Sequence, residues 1–434
     1  MNRTLLSLAF LLIAPAVFAQ THDAYGGIPA IKGKPTGYFH VQQISGIWWL
    51  MTPDGNGFVS KGINDVGMGA NFSSKLGYSP YRRACEAKYG SADKWAAATV
   101  KRMWEWNFNT VGAWSGREVY RQDMPYTLLV DMAARAGSNW QSGQVADVFS
   151  PQFAEALNRQ AQRVCKPLAD DKKLIGYFTD NELRWAADWR SKKSLFEEFM
   201  SQKPESSGKQ AAIRMLRGKY PSPDAFNKAW STSLKSLDEL PALSELPRGN
   251  DAAKWAASEF LRLYARAYFS TCHDAIRAAD PNHMVIGCRF AGYAPQEVVE
   301  TMKDYIDLIS FNNYNNTPPA DTLRKLHEVT GKPIMLTEYS FKAMDSGLPN
   351  TKGAGKPVAT QQDRADHFEQ YTTALMKLPF MVGYHWFQWT DEPADGRFDG
   401  ENSNYGVVNK DDEPWTILVD RMKRLNGEIE QVHK

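Results

Sequence analysis

Eight short β-rich runs alternate with amphipathic helical stretches along this chain, and that rhythm limits the fold more than any other feature. The runs are 57–65 (GFVSKGIND), 108–114 (FNTVGAW), 126–132 (YTLLVDM), 174–182 (LIGYFTDNE), 284–289 (MVIGCR), 306–314 (IDLISFNNY), 333–339 (PIMLTEY) and 382–390 (VGYHWFQWT). Between them, apolar residues recur at helical spacing over 94–106, 151–168, 359–378 and 415–432. Ser150 followed by Pro151 is a helix-start signal. Strands separated by helices predict a parallel sheet with crossover connections, and eight such units predict a (β/α)₈ barrel. A doubly wound sheet is the competing α/β architecture. It would usually carry a glycine-rich phosphate turn after its first strand, and residues 62–67, GINDVG, are not G-x-G-x-x-G.

Two regions exceed a minimal barrel. Residues 20–56 form an N-terminal extension, within which 47–59 reads as a hairpin turning around 53–57 that leads into the barrel or plugs its bottom. The barrel itself is expected over 57–434, with a helical insertion of about 186–280 after strand four, on the face where barrel active sites form. That insertion is expected to cap and narrow the site. Ahead of all this, Arg3, the apolar run 5–14 and the small residues at 15–19 predict a signal peptide cleaved after Ala19. The mature protein is therefore expected to be secreted or periplasmic, with no membrane segment once the leader is removed. In an oxidising compartment Cys85, Cys165, Cys272 and Cys288 could pair or stay free, and their spacing does not decide between these. The formal charge of +2 argues against a nucleic-acid partner.

Barrel enzymes place catalytic groups at the C-terminal ends of strands. Strands four and seven, otherwise apolar, finish on Glu182 and Glu338. Carboxylates are rarely buried unpaired, so two at matching positions form a candidate pair facing across a barrel mouth. Two facing carboxylates suit glycosidic bond cleavage, with one as acid and the other as nucleophile or base. The rival reading has each Glu capping a helix or pairing with an Arg. No H-E-x-x-H set, G-x-S-x-G elbow or phosphate loop is present, so neither a metal nor a cofactor is expected.

Asn181–Glu182 at the end of strand four with Glu338 at the end of strand seven resembles glycoside hydrolase clan A. GYFTDNELRW (176–185) and HWFQWTDEPADGRFDGENSNYGVV (385–408) are similar to the family 50 β-agarases, as are WWLMTPDGNGFVSKGIN (48–64) and WNFNTVGAWS (106–115). LRGKYPSPDAFNKAWSTSLKSLDEL (216–240) resembles an insertion shared with the family 42 β-galactosidases. The resemblance implies Glu182 as acid/base, Glu338 as nucleophile, and retention of anomeric configuration, with the carboxyl groups about 5–5.5 Å apart. It further implies that Tyr314 holds the nucleophile through its hydroxyl. Asn181 is the candidate donor to the sugar 2-hydroxyl. Trp386 and Trp389 are candidates for the floor under the cleaved sugar, although a spacing of three points them to different faces of a regular strand. Trp114, Asp131, Gln388, Asp391, Arg397, Glu401 and Asn402 are further candidate hydroxyl contacts. The expected activity is hydrolysis of a β-linked oligo- or polysaccharide. The alternatives are an exo-β-galactosidase, a β-glucan hydrolase, or a catalytically silent carbohydrate-binding barrel.

Overall fold

A computed structural model describes residues 22–433. The expected leader, 1–19, lies outside the described residues. Strands β1 (Ile28–Lys32), β2 (His40–Ile44), β3 (Ile47–Met51) and β4 (Asn56–Phe58) form an antiparallel sheet in the order β1-β4-β3-β2. The expected hairpin is present as β3 and β4, closed by Thr52 N donating to Asn56 O at 2.8 Å. A second hairpin, not anticipated, joins β2 to β3 through Ser45 and Gly46. Both take positive φ, 52° and 87°, as a two-residue turn between twisted strands demands.

The next eight strands close a parallel barrel: β5 (Ser60–Ile63), β6 (Thr110–Val111), β7 (Tyr126–Leu129), β8 (Leu174–Asn181), β9 (Met284–Ala291), β10 (Ile309–Asn312), β11 (Ile334–Tyr339) and β12 (Met381–Trp386). Each pairs with the next, and β12 pairs back with β5. The (β/α)₈ expectation is therefore met, with each strand inside one of the eight β-rich runs or displaced from it by at most two residues. Strands such as β11 are buried along their whole length, which explains their continuous apolar runs: the barrel packs one face and the helical ring the other. The N-terminal sheet closes the bottom. Leu50 and Phe58 from it, and Phe39 just before β2, share one apolar cluster with Met284, Leu308, Met335 and Val382 from the barrel.

Helices fall where the periodicity places them. Helix Pro151–Val164 is capped by Ser150, whose side chain accepts from Phe153 N, a contact worth about 1 kcal/mol. Helix Gln361–Met376 starts from a capping box at Thr360 and Asp363. Between β8 and β9 lie Leu195–Met200, Ser207–Lys219, Pro223–Trp230 and the 29-residue Asp251–Ala279. The last is also the barrel's own crossover helix, since Tyr268 on it donates to Asp180 at 2.6 Å. All four cysteines are buried and free.

Candidate active site

The C-terminal strand ends surround a cavity of about 940 Å³. β5, β6, β7 and β8 each run into a non-glycine residue in the left-handed region: Asp65 (φ 52°), Trp114 (61°), Asp131 (58°) and Glu182 (50°). Each such residue costs about 1–2 kcal/mol of backbone strain. All four line the cavity. Strain repeated within three residues of the ends of four successive strands, and nowhere else on them, is a feature of sites rather than of packing.

Glu338 is buried, 6% exposed, at the end of β11. The Tyr314 hydroxyl donates to its Oε1 at 2.5 Å. Arg289, fully buried at the end of β9, stands 3.1 Å from Oε2 as an ion pair, yet Oε2 receives no hydrogen bond of good geometry. Burial pushes the Glu338 carboxyl up to about 7; Arg289 opposes this, Glu182 adds to it, and the Tyr314 hydroxyl also opposes it. Arg289 is itself held in place. It donates to Asn181 Oδ1 at 3.1 Å and Thr337 O at 2.5 Å, and its guanidinium lies 4.3 Å over the Trp114 ring.

Glu182 has a different environment. Asn312 Nδ2 donates to Oε1 at 2.9 Å and Trp140 Nε1 to Oε2 at 3.2 Å. Its donors are neutral, where Glu338 has a guanidinium beside it. Asn312 also donates to Asn181 Oδ1 at 3.1 Å. With Arg289 on the same oxygen, the Asn181 carbonyl is saturated, which leaves its NH₂ as the group available to the cavity. One carboxyl with an unbonded oxygen, a second carboxyl held by neutral donors and a free amide N–H can supply a nucleophile, a proton and a hydroxyl contact in one cavity.

Of the sequence-predicted residues, Glu182, Glu338, Asn181, Tyr314, Trp114, Glu401, Asp131 and Arg397 line the cavity. Five others do not. Trp386 is fully buried on the outer side of β12, against Phe368, with Nε1 donating to Tyr405 O at 2.8 Å. Trp389 is fully buried, stacked on Trp106, with Nε1 donating to Tyr81 OH at 2.7 Å. Gln388 is fully buried beside Glu392. Asp391 accepts from Asn404, the Gly406 N–H and Trp415 Nε1, so it braces the strand-eight loop. Asn402 accepts from the backbone of Thr351 and Lys352 and ties two loops together. For Trp386 the reason is the strand's two-residue period, while the other four lie past the end of β12. His385 turns inward to Ser60, Trp386 outward to the helices, and Phe387 inward to the cavity. Gly62 makes room for His385: a Cβ there would lie 2.4 Å from the imidazole. Phe387 is thus the ring that strand eight presents, one position from the expected one.

Sequence reasoning also missed Arg289, Asn312 and Trp140. Arg289 carried a usable signal, since it ends an apolar strand just as the two glutamates do. Trp140 sits in a polar turn and carried none. The helical insertion, about 186–280, was expected to cap and narrow the site; none of its residues lines the cavity itself, and its first turn abuts the rim, where Arg190 donates to Trp140 O and Glu182 O. Around the pair the cavity is acidic. Asp65 is pushed up to about 7 by burial against the pull of Arg397, and Asp180 to about 7 by burial against hydrogen bonds from Tyr268 and Ala133 N. Arg397 is neutralised by Asp399 at 2.9 Å and Glu401 at 2.8 Å. Among the described residues, no group of three or more His, Cys, Asp or Glu is placed to hold a metal.

Comparison with known proteins agrees with this geometry. The glycoside hydrolase family 42 profile, described as β-galactosidase, matches residues 121–432. β-Agarase B of Vibrio sp. (strain JT0107) is 27% identical over 93% of this chain and 50% of its own length. β-Agarase A of the same strain is 28% identical, over 93% of this chain and 47% of its own. The chain thus spans about half the length of these curated relatives. A solved exo-β-agarase structure superposes with a TM-score of 0.86 at 25% identity, covering 95% of this chain and 68% of that one.

Proposed function

The chain belongs to glycoside hydrolase family 42, the family described as β-galactosidase, and from that premise we propose that it is a retaining glycosidase cleaving β-galactosidic bonds in an agarose-like oligo- or polysaccharide. In this reading Glu338 Oε2 attacks the anomeric carbon while Glu182 gives its proton to the departing glycosidic oxygen. The bond to the leaving sugar breaks, and the remaining sugar is held as an ester on Glu338. Glu182, now a carboxylate, takes a proton from water. The water oxygen attacks the same carbon, and the electron pair of the ester bond returns to Glu338. Two inversions retain configuration.

The observation that carries this reading is the asymmetry of the two carboxyls. Glu338 has one oxygen fixed by Tyr314 and one without a hydrogen-bond donor, beside a fixed guanidinium. That leaves a lone pair for attack. Glu182 accepts only from neutral amide and indole N–H groups. The β-agarase relatives support a galactan substrate. The test is hydrolysis of agarose oligosaccharides, aryl β-galactosides and β-glucans, with the anomer of the first-formed product followed by NMR. Retained β-configuration supports the reading, and an inverted product overturns it. Release of only terminal galactose from every substrate would favour the second reading, an exo-β-galactosidase, to which the family's description points. No turnover together with sugar binding would identify a silent carbohydrate-binding barrel.

Export belongs to the same proposal. It is supported by the charged, apolar and small-residue order of 1–19. No helix of the described residues is long and apolar enough to cross a membrane. Protein recovered outside the cytoplasm should begin at Gln20.

A further inference from the structure

Two indoles stand near the acid/base, Trp140 bonded to it and Trp189 packed on Trp140, and the mechanism above uses only the Trp140 N–H. Trp140 lies on the turn after β7 that is closed by the Asn139–Gln144 bridge, and its Nε1 donates to Glu182 Oε2 at 3.2 Å. Its ring packs edge-to-face against Trp189, with centroids 6.2 Å apart and planes at 70°. Trp189 is 71% exposed. The backbone carrying both rings is clamped. One Arg190 nitrogen donates to Trp140 O at 2.9 Å and to Glu182 O at 3.1 Å, while the guanidinium pairs with Asp188 at 2.7 Å. An indole held this firmly and left in water has lost its burial energy without gaining mobility. Its apolar face fits the C–H face of a pyranose.

The position of this pair decides which sugar it meets. The rings around the nucleophile are different ones: Tyr314 bonds Glu338, and Phe387 packs edge-to-face on both Tyr314 and Trp114. In a two-carboxylate displacement the nucleophile lies against the sugar that stays, and the acid against the oxygen that leaves. Trp140, the ring bonded to the acid, therefore faces the sugar that departs, and Trp189, packed on Trp140 outside the cavity lining, extends that aromatic surface outward. We propose that Trp140 and Trp189 form the subsite for the departing sugar, and so also the acceptor subsite for glycosyl transfer to a carbohydrate. The inference rests on the retaining reading above. In transfer, an acceptor hydroxyl oxygen bonds to the anomeric carbon as the ester bond to Glu338 breaks. The hydroxyl proton passes to Glu182, and the bond's electron pair returns to Glu338. Water performs the same step in hydrolysis, so acceptor and water compete for one intermediate.

The experiment compares the full chain with its Trp189→Ala variant on two substrates. One is an agarose oligosaccharide, whose leaving group is a sugar. The other is β-galactosyl fluoride, whose leaving group occupies no ring subsite. The ratio of kcat/KM for oligosaccharide over fluoride should fall roughly threefold to tenfold in Trp189→Ala, the size of one stacked-ring contact. With the fluoride as donor and the oligosaccharide as acceptor, the ratio of transfer product to free galactose should fall by a similar factor. Trp140 is a positioning residue. Trp140→Phe keeps the ring and removes the N–H, so its loss should appear in kcat on the oligosaccharide more than in KM, and less with fluoride, which departs without a proton. Equal losses on both substrates, or an unchanged partition between acceptor and water, would overturn the proposal. Failure of the unaltered chain to turn over either substrate would instead remove the retaining-galactosidase reading on which it rests.

Discussion

Tyr314 holds Glu338 by one oxygen only: its hydroxyl lies 2.5 Å from Oε1, and Oε2 is left facing the Arg289 guanidinium at 3.1 Å without an aligned donor. The carboxyl is thereby fixed in orientation while one lone pair stays unbonded. The predictions below follow from this division between a held atom and a reactive one.

On the proposed mechanism Glu338→Ala removes the covalent step and should abolish turnover of every substrate, with azide restoring partial activity and giving inverted product. Glu182→Ala keeps the nucleophile. It should still be glycosylated by a dinitrophenyl glycoside, whose leaving group has a pKa near about 4 and departs unprotonated. Hydrolysis of a natural sugar linkage, with a leaving-group pKa above about 12, should fall by several orders of magnitude. Mass spectrometry should find a glycosyl adduct on Glu182→Ala and none on Glu338→Ala. The reverse pattern would exchange the two roles.

The pH profile should report Glu338. As the proposed nucleophile, Glu338 has to be ionised, and burial pushes its carboxyl up to about 7, so kcat/KM should decline as pH falls below about 7. The Tyr314 hydroxyl pulls that value down. Tyr314→Phe should therefore move the acidic limb to higher pH and lower kcat/KM at pH 7 by roughly tenfold or more. The Glu182 charge pushes the value up. Glu182→Gln, assayed on a dinitrophenyl glycoside, should move the limb to lower pH. A limb that stays in place in both variants would show that Glu338 is not the group being titrated.

Tryptophan replacements should separate into two classes. Trp386 is fully buried against Phe368 and Tyr339, so Trp386→Ala should cost about 3–5 kcal/mol of stability in denaturant melts. Trp114 is 38% exposed and lines the cavity beneath Arg289. Trp114→Ala should leave the melting midpoint nearly unchanged and lower kcat/KM. An intact midpoint for Trp386→Ala would contradict its place in the core.

Stability should fall as pH rises through neutrality. Burial raises Asp65, Asp180 and Glu338 to about 7 and Asp391 to about 6, above the value of about 4 in an unfolded chain. Between about pH 4 and 7 the folded state binds the extra protons, so their stabilisation is complete below pH 4 and lost as pH rises past 7. Asp412, held down by Arg102 and its tyrosine partners despite its burial, acts in the opposite sense and only under acid. Melting temperature should therefore peak in mild acid and decline toward pH 8. Asp180→Asn, which keeps the acceptor for Ala133 N and Tyr268, should reduce that slope. An unchanged slope would mean that Asp180 is already ionised in the fold.

How much of this was legible along the chain varies with the range of the interaction. The barrel could be read because strand and helix periodicities are local and repeat eight times. Glu182 and Glu338 could be read because a carboxylate ending a buried strand violates burial preference at a single position. Arg289 violates the same preference, but its role depends on Trp114, Asn181 and Glu338, which come from three other strands. Asn312 and Trp140 gain meaning only from their hydrogen bonds to Glu182, 130 and 42 positions away in the chain.

Strand eight shows where the boundary lies. The sequence by itself determined that 382–390 is an aromatic strand carrying His, Trp, Phe, Gln and Trp in order, because composition and alternation act between near neighbours. It could not determine which alternate set faces the cavity. A strand turned by one residue exchanges every side chain between faces, and only closure of the barrel selects the face. Pairing of β12 with β5 and β11 turned His385 and Phe387 inward and sent Trp386 against the helix Gln361–Met376. The tertiary structure made that choice because burying an indole against Phe368 and placing an imidazole over Gly62 satisfies both faces at once.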